Sequence, residues 1–136
     1  MPILEKDDVV LDYLETGQGT TVILIHSTVS GNRQWKTLME DLGREFRVLA
    51  PNLRGYGKTS SWLGERALNL SDQVQLIEPL IESSEQKVYL IGHSYGGSIA
   101  LKAAMSFPEK TEGLLLLEPN PFYPVSYTHL TLPTIL

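Results

Sequence analysis

Residues 88–104 read VYLIGHSYGGSIALKAA, and this stretch decides the fold. Its first four residues, Val88, Tyr89, Leu90 and Ile91, are β-branched or large and apolar, the composition of a buried strand. Over residues 98–107, apolar side chains recur at helical spacing, at Ile99, Ala103, Ala104 and Phe107. Between them stands Gly92-His93-Ser94-Tyr95-Gly96, a G-x-S-x-G. A strand that turns at once into a helix crowds the backbone around the central residue. Glycines two positions either side of Ser94 remove the side chains that would collide there. The pattern alone is common; set between a strand and a helix it is specific.

Outward from this stretch, the chain alternates strands with helices. Residues 9–14 read as an early strand, closed by the turn cluster Thr16-Gly17-Gln18-Gly19. Residues 21–25 (TVILI) form a continuous β-branched run, the mark of a parallel strand buried on both faces. A loop of small polar residues, HSTVSG, follows, and then Trp35, Leu38, Met39 and Leu42 at helical spacing up to Gly43. Residues 46–50 (FRVLA) make the next strand, ended by Pro51, and NLRGYGKTSS at 52–61 is a long surface connection over one end of the sheet. Val74, Ile77, Leu80 and Ile81 give the next helix its apolar face, with Ser71 or Asp72 near its start and Pro79 as a kink or early end. Pro108 stops the helix after Ser94, and residues 113–117 (GLLLL) read as one more buried strand. This order specifies an α/β fold with a doubly wound, mostly parallel sheet.

Bulk properties exclude several functions. A chain of 136 residues, 42% apolar, buries one core and forms one domain at most. Eleven basic against sixteen acidic residues give a net charge of -5, with no basic stripe to neutralise phosphates, so nucleic acid is not an expected partner. There is no cysteine, and the three histidines are well separated, so no metal site is expected. No apolar run approaches a membrane span, and the first ten residues lack the pattern of a secretory signal. A cytoplasmic protein without a membrane partner is the expectation; nothing in the sequence sets the oligomeric state.

Three motifs in order, LIHSTVSGNRQW, NLRGYGKTS and GHSYGG, resemble the α/β-hydrolase superfamily, in its esterase, lactonase and non-haem haloperoxidase-like group. The resemblance covers most of residues 21–117. It implies a serine hydrolase without a cofactor, acting on a small-molecule ester, lactone or related carbonyl compound. It implies that Ser94 is the nucleophile at the tip of the elbow, activated by a histidine that an acid orients. It also implies an oxyanion hole of two backbone N–H groups, from Tyr95 and from Thr28 in the loop after TVILI. Relatives usually carry His-Gly where this chain has His26-Ser27, and serine accepts positive φ less readily than glycine.

Plainer roles stand beside these. His26 and His93 fall at positions that such proteins use structurally, and each is expected to be a satisfied, partly buried histidine. Trp35 and Tyr56 are either pocket-lining or core residues, a Trp on an apolar helix face being more often core. Arg54 and Lys58 read as solvated loop surface. Asn52 stands where relatives often carry aspartate, and a turn residue bonding its own backbone suffices to explain it. A non-catalytic ligand-binding protein on the same fold is the alternative to an enzyme.

After Leu117 the chain offers two candidates for the remaining catalytic groups, Glu118 as acid and His129 as base. The residues around His129 argue against that assignment. VSYTHLTLPT, at 125–134, resembles the translation of a transposon end and adapter used in short-read sequencing libraries. Residues 1–124 are therefore expected to be the amino-terminal part of a hydrolase domain and residues 125–136 a non-native tail. On this reading the acid and base lie downstream of the break, and this polypeptide retains residual activity at most.

Overall fold

A computed structural model of the chain describes residues 2–118. Its sheet has six strands: β1 (Ile3–Lys6), β2 (Val9–Thr16), β3 (Thr21–Ile25), β4 (Arg47–Pro51), β5 (Val88–His93) and β6 (Thr111–Leu117). They lie in the order β1-β2-β4-β3-β5-β6. β1 and β2 pair antiparallel, and β2 runs antiparallel to β4; β4, β3, β5 and β6 are parallel. The hairpin between β1 and β2 turns on Asp7 and Asp8, both at positive φ (53° and 65°), a conformation that aspartate tolerates better than most residues.

Helices cover both faces. α2 (Leu70–Glu82) and α3 (Tyr95–Ser106) share one face, where Ile77, Leu80, Ile81 and Ile99 pack with Ile23, Leu49 and Leu90 in the larger core. Each of these aliphatic side chains contributes about 1.5–3 kcal/mol on full burial. α1 (Lys36–Leu42) covers the other face over β3 and β4, with Trp35 and Met39 against Val22, Leu24 and Val48. Trp35 is thus a core residue. On that face Tyr89 and Ile91 of β5 are only half-buried. An apolar cavity of about 300 Å³ lies there, bounded by Val22, Leu42, Phe46, Tyr89, Ile91 and Leu115.

The strands around the elbow differ from expectation accordingly. β3 is buried along its whole length, whereas β5 alternates between buried and half-buried residues. β6 buries Leu114 but leaves Leu117 37% exposed, because among the described residues it pairs on one side only.

α2 begins one to two residues before the expected start. Asn69 is its cap: Asn69 Oδ1 accepts from the Asp72 N–H and Asp72 Oδ2 accepts from the Asn69 N–H, both at 2.9 Å, a reciprocal capping box. Pro79 does not end the helix, which runs on to Glu82. No helix of the described residues is long and apolar enough to cross a membrane. The segment 125–136 and His129 lie outside the described residues.

Candidate active site

Ser94 sits between β5 and α3 with φ 55° and ψ −117°, a left-handed conformation that costs a non-glycine residue about 1–3 kcal/mol. Its surroundings hold it there. Its carbonyl accepts from the N–H groups of Gly97 and Ser98, in the first turn of α3, at 2.9 and 3.3 Å. The flanking glycines are sterically required. A Cβ on Gly92 would fall on the Gly96 carbonyl, and one on Gly96 would fall on the carbonyl oxygens of Ile25 and His26. The first turn of α3 is therefore pressed against the carboxyl end of β3, where the loop bearing Ser27 and Thr28 begins. Ser94 is half-buried at this junction.

Two backbone donors flank this junction in sequence. Among the described residues neither the Thr28 N–H nor the Tyr95 N–H is hydrogen-bonded. Ser27 is not at positive φ, so the serine in place of glycine imposes no strain. Its N–H is taken up by Gln34 Oε1 at 2.7 Å.

The two histidines within the described residues are both committed elsewhere. His26 is fully buried; its Nε2 accepts from the Leu53 N–H at 3.0 Å, which fixes the proton on Nδ1, donated to the Ser27 carbonyl at 2.7 Å. Burial holds its pKa below the usual histidine value, against the opposing effect of the Ser27 bond. His93 Nδ1 lies 2.9 Å from Gln34 Nε2, and its Nε2 lies 4.0 Å from Glu118 Oε1. Glu118, 90% exposed in its side chain, has φ 46° just beyond β6. Neither histidine bonds Ser94.

The loop after β4 closes over the same end of the sheet. Tyr56 packs its ring on His26, centroids 4.6 Å apart, and its pKa is raised by burial and by the proximity of Tyr95. A cavity of about 320 Å³ lies beside it, lined by Val29, Gly31, Asn32, Asn52, Tyr56 and Gly57. Tyr56 is thus a lining residue.

Asn52 does not bond its own backbone. It is buried, with Oδ1 accepting from the Asn32 N–H at 2.9 Å and Nδ2 donating to Asp12 Oδ2 at 3.1 Å. It ties β2, the loop after β3 and the loop after β4 together. Arg54 is not simply solvated either: its guanidinium lies 5.6 Å from the Trp62 ring, which also meets Arg66 at 4.9 Å. Lys58 is exposed, as expected, while its N–H donates to Asp12 Oδ2 at 2.9 Å. Among the described residues no group of three or more His, Cys, Asp or Glu side chains is placed to hold a metal ion.

Comparison with known proteins agrees with this architecture. A family model described as alpha/beta hydrolase fold matches residues 20–133. A pimeloyl-[acyl-carrier protein] methyl ester esterase of Aliivibrio fischeri is 30% identical over 112 residues, 82% of this chain and 41% of that protein. A 2-hydroxy-6-oxo-2,4-heptadienoate hydrolase of Pseudomonas putida is 31% identical over 107 residues, 76% of this chain and 38% of that protein. Among solved structures, an epoxide hydrolase from Vigna radiata superposes with a TM-score of 0.82 at 27% identity, over 90% of this chain and 41% of that one. The chain spans about two fifths of the length of these relatives.

Proposed function

The chain belongs to the alpha/beta hydrolase fold family, and from that premise we propose that it is the amino-terminal part of a cofactor-independent serine hydrolase. Ser94 is the nucleophile, and the substrate is a small carboxylic ester, lactone or related carbonyl compound. The observation that carries this reading is the left-handed backbone of Ser94 at a strand-to-helix turn, with φ 55°. Such strain persists where the surroundings over-determine it, and here it sets a hydroxyl at the carboxyl ends of the parallel strands.

The chemistry follows from the nucleophile. Attack by the Ser94 oxygen on a carbonyl carbon, with its proton passing to the base, forms a tetrahedral oxyanion, received by the Thr28 and Tyr95 N–H groups. Its collapse expels the leaving group, which takes that proton, and leaves an ester on Ser94; water, giving its proton to the base, attacks the same carbonyl, and collapse releases the acid and returns the proton to Ser94. The named activities of the relatives include ester hydrolysis and epoxide opening. Serine favours the former: opening an epoxide would leave an alkyl ether on Ser94, with no carbonyl for water to attack.

His26 and His93 are engaged in structural bonds, so the base and its acid are assigned to the part of the protein beyond residue 124. The 136-residue chain is accordingly nearly inactive: in one serine hydrolase, loss of the histidine alone costs about 10⁶-fold in kcat. Fluorophosphonate labelling of the protein from the uninterrupted gene tests the reading. Label on Ser94 supports it; an unlabelled protein that binds ligand reversibly would make the chain part of a receptor on the same fold.

A further inference from the structure

Gln34 joins the two halves of this site. It stands in the 3-10 turn Asn32–Trp35, whose last residue is buried in the core beneath α1, so the backbone carrying Gln34 is anchored. Its Oε1 accepts from Ser27 N–H at 2.7 Å, and its Nε2 lies 2.9 Å from His93 Nδ1. The direction of these bonds is set at one end. A backbone N–H only donates, so the amide oxygen must face Ser27. The amide NH₂ then faces His93, and Nδ1 must accept. His93 therefore carries its proton on Nε2, the nitrogen 4.0 Å from Glu118 Oε1.

Two consequences bear on the chemistry. Gln34 takes the Ser27 N–H out of the donors this loop can offer an oxyanion, and the Thr28 N–H next to it has no partner among the described residues. The same side chain bonds the residue preceding Ser94, so the loop and the elbow keep one spacing. We infer that Gln34 is a positioning residue, a clip that selects which loop amide meets the oxyanion and fixes its distance from the nucleophile. The inference rests on the reading of Ser94 as nucleophile.

The test uses two substitutions and three measurements. Long-range ¹H–¹⁵N spectra of the 136-residue chain report the tautomer of His93. The unsubstituted chain shows the proton on Nε2, whereas Gln34→Glu places an acceptor opposite Nδ1 and draws a proton onto it. A packing role alone would not produce that change, because the two side chains are nearly isosteric. In the protein from the uninterrupted gene, Gln34→Met lowers kcat about 10- to 100-fold with KM little changed, less than the ~10²–10³-fold that follows outright loss of an oxyanion donor. Unchanged kcat in Gln34→Met, with Ser94 still reacting normally with fluorophosphonate, overturns the clip and leaves the nucleophile intact. A His93 proton on Nδ1 in the unsubstituted chain overturns it as well. If Ser94 of the unsubstituted protein does not react at all, the reading beneath the inference falls with it.

Discussion

The backbone N–H of Ser94 donates to the carbonyl oxygen of Leu117 at 2.9 Å. β6 thus reaches the elbow at its last residue and holds the serine from the side opposite β3. The left-handed turn at Ser94 is fixed by this bond, by the first turn of α3, and by the close approach of Gly96 to β3. A strained residue is tolerated because three elements define its position.

That strain is measurable. Ser94→Gly removes the Cβ that makes φ 55° costly, while Ser94→Ala keeps it. Urea unfolding is expected to find the glycine variant more stable than the alanine variant by about 1 kcal/mol, the reverse of the usual order in regular structure.

Gly96 has no room for a methyl group, and what it would meet is backbone. Gly96→Ala must push α3 away from β3, at a cost of about 1–3 kcal/mol or more. The expected outcome is a lowered denaturation midpoint, and, in the protein from the uninterrupted gene, slower labelling of Ser94.

Asn52→Leu orphans the buried Asn32 N–H and takes a donor from Asp12. Each such loss costs about 1–3 kcal/mol, so the variant is expected to be at least about 2 kcal/mol less stable. Denaturant titration checks this.

Acid acts on the fold in two stages. Burial lowers the His26 pKa from 6.5, so the unfolded chain takes up that proton first and stability declines as pH falls below about 6.5. Asp72, hydrogen-bonded by Arg66, has its pKa lowered from 3.8 to about 2. Its contribution is complete above about 3.8 and is lost as pH falls toward 2. Thermal melts across this range are expected to show both declines, and Arg66→Met to flatten only the lower one.

What the sequence disclosed was local. The unbroken apolar run of β3 and the glycines around Ser94 state their own burial and geometry, and both were legible. The hairpin turn at Asp7 and Asp8 was not, because neither is the glycine that usually marks positive φ. The helix α2 is expected to start near Ser71 or Asp72, whereas its cap is Asn69, which lies between two leucines and bonds reciprocally with Asp72. Of the proposed site, the family resemblance names Ser94, Tyr95 and Thr28, whereas Gln34 and Asn52 are not legible in the sequence. Their partners lie 59 residues away for Gln34, at His93, and 40 and 20 residues away for Asn52, at Asp12 and Asn32. No periodicity encodes such a bond. The partial exposure of β5 and β6 follows from what packs on them, which the strands themselves do not state.

An acylating nucleophile at Ser94 leaves a covalent trace that can be located. The most direct measurement is peptide mapping of the protein from the uninterrupted gene after reaction with a fluorophosphonate, in parallel with p-nitrophenyl ester turnover. The expected result is a single label on Ser94 and turnover that falls as the label is taken up. Full turnover with Ser94 unlabelled, or label on another residue that abolishes turnover, would contradict it.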